Sequence, residues 1–400
     1  MLLGTGPDGP VRGRRVVITG MGVLATCGTG LDAFWDGLNR PAPLGERRVP
    51  DFDPTAWFGP KEARRVDRFA QFSVAAADMA RSDAGDIGVD PDRAGVIFGT
   101  GVGGLESLEE QIGVYRDKGA RRISPFLIPM MMANAGAANI SMRAGWHGPC
   151  ETIATACAAG THAVAAAARL VASGRLDVAI GGGAEAAMTP VGVGAFTNMT
   201  ALSSTGWSRP FDARRDGFVV AEGGGALVLE SLDHARRRGA RIYAEVLGAA
   251  STADAHHITA PAPGGNGAAA CMELALADAA VAPADVGHIN AHGTSTPLND
   301  LAEAQAIGKV FGAPGPPVTS TKGVTGHALG GAGALEAVAT TLALHHRLIP
   351  PTAGYEEADP EIGLDVVHGA ARPFEPAPSL SNSFGFGGHN GTLVIGPVEE

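Results

Sequence analysis

One cysteine of this sequence lies where a nucleophile can form. Glu151–Thr161 reads E-T-I-A-T-A-C-A-A-G-T, so a short β-capable segment runs into Cys157, and an alanine-rich helix is predicted from Ala158 to about Ala172. At a helix start, free backbone N–H groups and the helix dipole favour the nucleophilic thiolate and can stabilise an oxyanion. Because a cysteine is more often a small, inert core residue, partner residues elsewhere must decide between the two interpretations.

Candidate partners lie in glycine-rich segments that follow predicted strands. H-G-T-S-T-P begins at His292, S-T-K-G-V-T-G-H contains Lys322 and His327, and N-S-F-G-F-G-G begins at Asn382. Glycine lets the backbone approach a ligand closely. A phosphate loop is not favoured because no G-K-[ST] follows G-F-G-G. A single histidine beside a strand is usually structural, so the specific feature is the ordered set that follows Cys157.

The elements that position these residues follow a repeated pattern. Short β-branched runs ending in glycines predict buried strands, and alanine-rich segments between them predict helices. The pattern restarts near residue 251, which predicts an α/β protein of two similar halves, 1–250 with the cysteine and 251–400 with the histidines and lysine. The predicted strands are Arg15–Gly22, Ala94–Gly101, Asp177–Gly183, Gly224–Leu229, Ile242–Leu247, Val286–Ala291, Pro317–Thr321 and Gly391–Ile395; the predicted helices include Leu31–Leu38, Lys61–Ser82, Gly267–Ala280 and Gly333–Leu344.

Composition narrows the function classes. The chain has 400 residues, 45% apolar and 18% charged, as in a well-buried globular protein. Its net charge of −11 argues against a general affinity for nucleic acid or anionic membrane, so an acidic partner needs a local basic patch. The four cysteines are scattered without metal-ligand spacing, which predicts no metal site and a reducing compartment. With no signal peptide or membrane-length apolar run, the sequence predicts a cytoplasmic protein.

Taken together, the motifs resemble those of the β-ketoacyl-[acyl-carrier-protein] synthases, in particular the elongating, synthase II-like type with a Cys-His-His triad. The resemblance extends from V-V-I-T-G-M-G at residues 16–22, through S-R-P-F-D-A-R-R-D-G-F-V at residues 208–219, to the last predicted strand. Type II polyketide ketosynthases are also close. The resemblance implies a thiolase-like fold, with two α/β halves in five α-β-α-β-α layers, and normally a dimer.

The same resemblance implies the catalytic roles. Cys157 would carry the acyl chain as a thioester, and the backbone amides of Cys157 and Phe386 would hold the oxyanion. His292 and His327 would donate to the enolate that forms when a malonyl thioester loses CO₂. Lys322 would support the histidines, and Glu303 would pair with that lysine, which would otherwise be a costly buried charge.

The binding roles follow from the resemblance as well. The phosphopantetheine arm of an acyl carrier protein would deliver the substrate, so no cofactor of the chain's own is expected. Thr294, Thr296 and Thr259 would contact that arm. Phe384 and Phe386 would form a gate for acyl chains, and Met132 would line the acyl tunnel from the neighbouring subunit. The docking patch for the acidic carrier would be the basic cluster Lys61, Arg64 and Arg65.

Two departures from the family pattern and three hypotheses remain. The segment between Leu202 and Ser208 is shorter than in the family and lacks a basic residue used in carrier docking, and His389 replaces a threonine, so the partner is either the ordinary fatty-acid carrier protein or a dedicated one. Gly391 matches synthase II-like members. The chain is an elongating ketosynthase of fatty acid or type II polyketide synthesis, the ketosynthase half of a heterodimer with a chain-length factor, or a non-condensing scaffold subunit. The retained Cys157 argues against the scaffold. A thiolase is disfavoured because the second cysteine that thiolases carry near the C-terminus is missing. An initiating synthase is disfavoured because the sequence has a second histidine in place of the asparagine of a Cys-His-Asn set.

Overall fold

A computed structural model of the chain describes residues 1–6 and 9–399. The strands are β1 Leu2–Gly6, β2 Gly9–Arg12, β3 Val16–Ala25, β4 Gly28–Thr29, β5 Ala94–Gly99, β6 Cys150–Ile153, β7 Val178–Glu185, β8 Gly223–Ser231, β9 Ala244–Ala253, β10 His288–Asn290, β11 Val318–Thr319, β12 Leu348–Ile349, β13 Arg372–Pro373, β14 Ser379–Gly385 and β15 His389–Gly396. The helices are α1 Leu31–Leu38, α2 Pro60–Ala63, α3 Arg68–Ala84, α4 Leu105–Lys118, α5 Leu127–Met131, α6 Ala135–Ala144, α7 Ala159–Ala172, α8 Pro190–Asn198, α9 Leu232–Arg237, α10 Asn266–Ala279, α11 Pro297–Phe311, α12 Lys322–Thr325 and α13 Ala332–His346.

The central strands run in the order β11-β10-β14-β15-β9-β3-β8-β7-β5-β6. In the first half β6, β5 and β7 are parallel to one another, and β8 and then β3 follow with antiparallel pairing. In the second half β11, β10 and β14 are parallel to one another, and β15 and then β9 follow with antiparallel pairing. The first strands of the halves, β3 and β9, join through a short antiparallel contact at Val17 and Ile18. The two halves therefore share one topology, as the predicted fold class requires.

Helices complete five layers. α7 and α13 contact strands of both halves, so they form the middle layer, while α3 covers the first sheet and α10 covers the second. Alanine suits this arrangement because small side chains let helices and sheets approach closely. Ala163, Ala167, Ala337 and Ala339 all belong to the core between the sheets. The thiolase-like α-β-α-β-α arrangement that the family resemblance implies is therefore observed.

One predicted helix is wrong in its extent. Instead of a continuous helix over Lys61–Ser82, the short α2 ends at Ala63 and α3 begins at Arg68. Asp67 separates them because its carboxylate accepts the backbone N–H of Phe69, as an N-cap does, and also that of Ser107. The basic residues Arg64 and Arg65 consequently lie in a turn.

Two further sequence expectations concern the chain as a whole. The boundary between residues 250 and 251 stays a prediction; it falls within β9, the first strand of the second half. None of the helices in the described part of the chain combines the length and apolar character needed to cross a membrane.

Candidate active site

Cys157 lies in a tight turn between β6 and α7. The preceding residue, Ala156, has a φ of 48°, a left-handed conformation that is uncommon for a residue other than glycine. Gly385 packs directly on this turn, where an added Cβ would lie 3.0 Å from the Cys157 nitrogen. The close contact brings the end of β14 against the N–H groups that precede α7. The predicted strand-to-helix position of the cysteine is therefore observed.

The resting charge of Cys157 differs from the sequence expectation. Burial raises the pKa of its thiol to about 11, and the backbone N–H of Phe386 and the charge of Lys322 only partly oppose that effect. The helix terminus thus does not by itself hold a thiolate at neutral pH, because the desolvation of a buried charge outweighs it. The sulfur is therefore a thiol at rest.

His292 follows β10 and is held from two sides. The Glu303 carboxylate accepts the backbone N–H of His292 at 2.8 Å and that of Gly293 at 2.7 Å. On the other side, Lys322 Nζ lies 3.3 Å from His292 Nδ1 and donates to the His292 carbonyl oxygen at 2.6 Å. An ammonium group can only donate, so Nδ1 accepts and the ring proton resides on Nε2. His292 thus presents an N–H donor away from Lys322.

His327 lies beside His292 with its ring nearly perpendicular. The two ring centroids are 5.4 Å apart at 83°, and Phe218 contacts the other side of His327 at 5.3 Å. Burial, assisted by the positive charge of Lys322, lowers the pKa of both histidines well below the usual value. Both rings are therefore neutral at physiological pH. A neutral imidazole can donate a hydrogen bond through its one N–H group without adding a buried charge.

Lys322 pairs with Glu336, not with Glu303. Its ammonium contacts Glu336 Oε1, and both side chains are almost fully buried. The predicted ion pair with Glu303 is wrong because both oxygens of that carboxylate accept backbone N–H groups at the start of the His292 turn. Glu303 instead shapes the backbone of His292, while Glu336, reaching in from α13, balances the charge of the lysine.

Cys157, His292 and His327 share one cavity of about 400 Å³. Of the other predicted residues, Thr294, Thr296, Thr259, Phe384, Phe386 and Glu303 also line it. The hydroxyls of Thr294 and Thr296 are 2.9 Å apart, and the Phe384 ring lies 6.0 Å from the His292 ring. The sequence motifs that stand far apart in the chain thus converge on a single chamber.

Four predicted binding residues lie away from this cavity, and the predicted catalytic residue Lys322 contacts His292 without lining the cavity itself. Met132 follows α5 on the surface with 46% of its area exposed. Lys61, Arg64 and Arg65 are exposed on and after α2. The Arg65 guanidinium lies 4.3 Å from the centre of the Phe126 ring, so the basic patch borders the segment before α5.

Comparison with known proteins identifies one family along most of the chain. Residues 43–235 match the family described as "Beta-ketoacyl synthase, N-terminal domain", and residues 243–356 match its C-terminal domain. The 3-oxoacyl-[acyl-carrier-protein] synthase 2 of Synechocystis sp. is 46% identical to this chain, over 96% of the chain and 98% of that protein.

The chain belongs to the beta-ketoacyl synthase family. Family membership makes it a condensing acyltransferase. Among solved structures, the ishigamide ketosynthase/chain length factor superimposes with a TM-score of 0.90 at 36% identity, covering 97% of this chain and 100% of that one. A type II polyketide ketosynthase in complex with its acyl-carrier protein gives 0.88 at 33% identity, covering 96% and 100%.

Two buried carboxylates of this synthase are missing from the sequence expectations. Glu336 is one, and a single acidic residue inside the apolar run A-G-A-L-E-A-V-A was the available signal. Glu185, the last residue of β7, is the other. Its carboxylate accepts hydrogen bonds from the backbone N–H groups of Gly101 and Gly330 and from the hydroxyl of Thr100. It therefore connects the loop after β5 to the segment that follows His327.

Proposed function

We propose that this enzyme condenses a malonyl thioester with an acyl chain held on Cys157, with loss of CO₂, to give a β-ketoacyl thioester two carbons longer. The observation that carries the proposal is the shared cavity of Cys157, His292 and His327, together with the lysine that keeps the His292 proton on Nε2. A nucleophile and two neutral imidazoles in one chamber suit acyl transfer followed by enolate stabilisation.

The first half-reaction loads the enzyme. The Cys157 sulfur attacks the carbonyl carbon of an acyl thioester, a new C–S bond forms, and the thiol of the carrier leaves with the proton from the cysteine. The tetrahedral oxyanion would accept hydrogen bonds from the backbone N–H groups of Cys157 and Phe386. Phe386 lines the cavity together with Cys157, and its backbone N–H acts to lower the pKa of the Cys157 thiol, which supports this assignment.

The second half-reaction forms the carbon–carbon bond. The C–C bond of the malonyl group breaks, CO₂ leaves, and the electron pair moves onto the thioester oxygen as an enolate. His292 Nε2–H and His327 would donate to that oxygen. The enolate carbon then attacks the acyl-Cys157 carbonyl, and the cysteine leaves and recovers a proton. Lys322 would hold the tautomer of His292 and balance charge in the buried site.

Substrate delivery is the next part of the proposal. The reaction balances without a cofactor, because the phosphopantetheine arm arrives on the carrier protein. Thr294 and Thr296 offer hydroxyls on the cavity wall for the amides of that arm, and Thr259 is a third candidate. An acidic carrier would dock on Lys61, Arg64 and Arg65, whose exposed positive charges contrast with the net charge of −11 for the chain. We place the reaction in the cytoplasm.

A dimer is part of the same proposal. In the described part of the chain, β6 is the last strand of the sheet, and Cys150 and Glu151 at its start are exposed. An open sheet edge is a template for pairing with another chain. Exposed apolar side chains lie on the neighbouring segments: Val102, Ile112, Tyr115, Phe126, Ile128, Met132 and Met142. A homodimer would cover them and would bring Met132 to the acyl tunnel of the partner.

A second candidate is the ketosynthase half of a heterodimer with a chain-length factor. The structural similarity to the ishigamide ketosynthase/chain length factor favours it, whereas the 46% identity to a 3-oxoacyl-[acyl-carrier-protein] synthase 2 favours the self-sufficient elongating enzyme of fatty acid synthesis. A non-condensing scaffold subunit is disfavoured because Cys157, His292 and His327 are all retained.

The test is intact mass spectrometry of the purified chain after incubation with a panel of acyl-carrier thioesters, followed by malonyl-carrier thioester. We expect one acyl group on Cys157, absent in Cys157→Ala, and its release as a β-ketoacyl product when malonyl thioester is added. Condensation by the chain alone supports the self-sufficient enzyme, and condensation only with a co-purified second subunit supports the heterodimer. Wild-type protein that takes up no acyl group would refute the proposal.

A further inference from the structure

His162 lies on the first turn of α7, close to the nucleophile in sequence but away from the cavity wall that the reacting groups line. Both ring nitrogens have partners. Nδ1 lies 2.8 Å from the hydroxyl of Thr155, and Nε2 lies 3.1 Å from the backbone carbonyl oxygen of Asn390. The ring therefore connects the residue two positions before Cys157 with the second half of the molecule.

The two contacts determine the protonation of the ring. A carbonyl oxygen only accepts, so Nε2 carries the proton and donates to Asn390. Nδ1 is then bare and accepts from the Thr155 hydroxyl. Burial lowers the pKa of His162, opposed by the Asn390 carbonyl and assisted by the neighbouring charges of His389 and Arg169. A neutral imidazole with one defined tautomer thus satisfies both contacts.

Each end of this connection leads to one donor of the oxyanion site. Thr155 belongs to the turn that sets the backbone N–H of Cys157. Asn390 pairs with Phe384 across the β14–β15 hairpin, and the connection of that hairpin carries Phe386. The ring also fits closely against β15, because a Cβ added at Gly391 would lie 2.9 Å from His162 Nε2.

We infer that His162 is a positioning residue that holds the backbone N–H of Cys157 and the backbone N–H of Phe386 at the separation needed to bind one oxyanion. The inference rests on the proposed function, because the oxyanion forms only in the proposed acyl transfer to Cys157. It assigns no substrate contact to His162. Two donors on separate segments, one from each half of the fold, need a rigid link if their spacing is to be constant. Removal of one oxyanion donor lowers the rate of an enzyme about 10²–10³-fold, so displacement of a donor should lower the acylation rate by a smaller but measurable factor.

The test separates acyl transfer from simple thiol reactivity. Acylation of Cys157 by an octanoyl thioester requires the oxyanion donors, whereas alkylation by iodoacetamide requires only the thiolate. In His162→Phe, which removes both ring nitrogens, we expect the acylation rate to fall about ten-fold or more, as a displaced oxyanion donor requires, and alkylation, which the Phe386 N–H aids only through the pKa of the thiol, to fall by a clearly smaller factor. His162→Gln can place its amide nitrogen near Nε2 and donate to Asn390, so we expect it to recover most of the acylation rate.

Controls keep the result decisive. His147→Phe is the matched substitution, because the side chain of His147 is exposed and pairs with the exposed Asp92; it should acylate like the wild type. Thr155→Val, which removes only the hydroxyl that donates to Nδ1, should show a smaller loss of the same kind and replaces His162→Phe if that variant does not fold.

Three results would overturn the inference: acylation by His162→Phe at the wild-type rate, an equal fall of acylation and alkylation, or no recovery in His162→Gln. A wild-type enzyme that is not acylated at all would instead overturn the proposed function, and with it this role for His162. The two failures are therefore distinguishable in one experiment.

Discussion

Replacement of Lys322 by methionine tests the charge arrangement behind the two histidines. The substitution keeps the length of the side chain and removes the ammonium, with its contacts to Glu336, the His292 carbonyl oxygen and His292 Nδ1. Nδ1 then loses the donor that fixes the proton on Nε2. We expect His292 to populate the tautomer that presents a bare nitrogen to the cavity, and the enolate to lose a donor and a nearby positive charge.

The magnitudes follow from burial. Breaking a buried ion pair costs about 3–5 kcal/mol when a charge is left behind. Burial already raises the pKa of Glu336 to about 7 although Lys322 opposes it, so without the lysine this carboxyl takes up a proton at neutral pH. We therefore expect a stability loss near the lower end, about 3 kcal/mol. Loss of one effective donor to the enolate should lower the decarboxylation rate about 10²-fold.

The assay measures CO₂ release from a malonyl thioester and, separately, acylation of Cys157 by mass spectrometry. Lys322→Met should reduce CO₂ release far more than acylation. Lys309→Met is the control, because Lys309 is exposed and donates to Gly264 and Asn266 at the surface. If both half-reactions fall equally, the lysine maintains the general structure of the site, and the tautomer argument is refuted.

Three further predictions use other parts of the structure. Arg64→Glu with Arg65→Glu should raise the KM for carrier-bound substrate about ten-fold at low salt and spare small thioesters; an unchanged carrier KM would mean that the patch is only a solvated surface. Because burial raises the pKa of the Cys157 thiol to about 11, its alkylation rate should rise about ten-fold per pH unit between pH 7 and 9, and a plateau near pH 8 would contradict the assignment. Burial raises the pKa of Glu185 from 4.5 to about 7, so the folded state binds this proton more tightly than the unfolded chain. Stability should then fall by about 3 kcal/mol as pH rises through this window, and Glu185→Gln should flatten the pH dependence of the free energy of unfolding; an identical profile would exclude the role.

Most strands and the helix after Cys157 were predictable because each depends on a local pattern. The strand β14, which brings Gly385 to the Cys157 turn, was not predicted, and the convergence of the motifs was implied by the family resemblance. Buried parallel strands appear as short apolar runs, and their polar ends stand out in the sequence. The break at Asp67 was not apparent from periodicity alone, since the apolar spacing continues across it. Only the cap bond from Phe69 N–H and the additional bond from Ser107 show why α3 begins where it does.

Pairings of buried charges were harder to predict. Glu303 and Glu336 are both acidic residues within helices, and the sequence does not state which of them faces Lys322. The structure shows which carboxylate pairs with the lysine. The turn after β10 presents two backbone N–H groups that need an acceptor, and Glu303, on α11, accepts both of them. Glu336 is then the carboxylate left for the lysine. Such choices depend on the packing of distant segments, which a linear pattern does not contain.

The shared topology of the halves explains why the reacting groups meet. In open α/β sheets, ligands bind beyond the carboxyl ends of parallel strands. The third strand of the first half, β6, leads to Cys157, and its counterpart β11 leads to Lys322 and His327. The second strand of the second half, β10, leads to His292.

The fourth strands, β7 and β14, extend the same correspondence. β7 ends at Glu185 and β14 at Gly385, the glycine that packs on the Cys157 turn. One half therefore supplies the nucleophile and the other the enolate donors, so every group that joins the halves affects both half-reactions through geometry alone. On this argument Glu185, which bonds Gly101 of the first half and Gly330 of the second, should influence acylation and decarboxylation together. The ammonium of Lys322 contacts His292 and Glu336, both in the second half, so its loss should lower decarboxylation more than acylation.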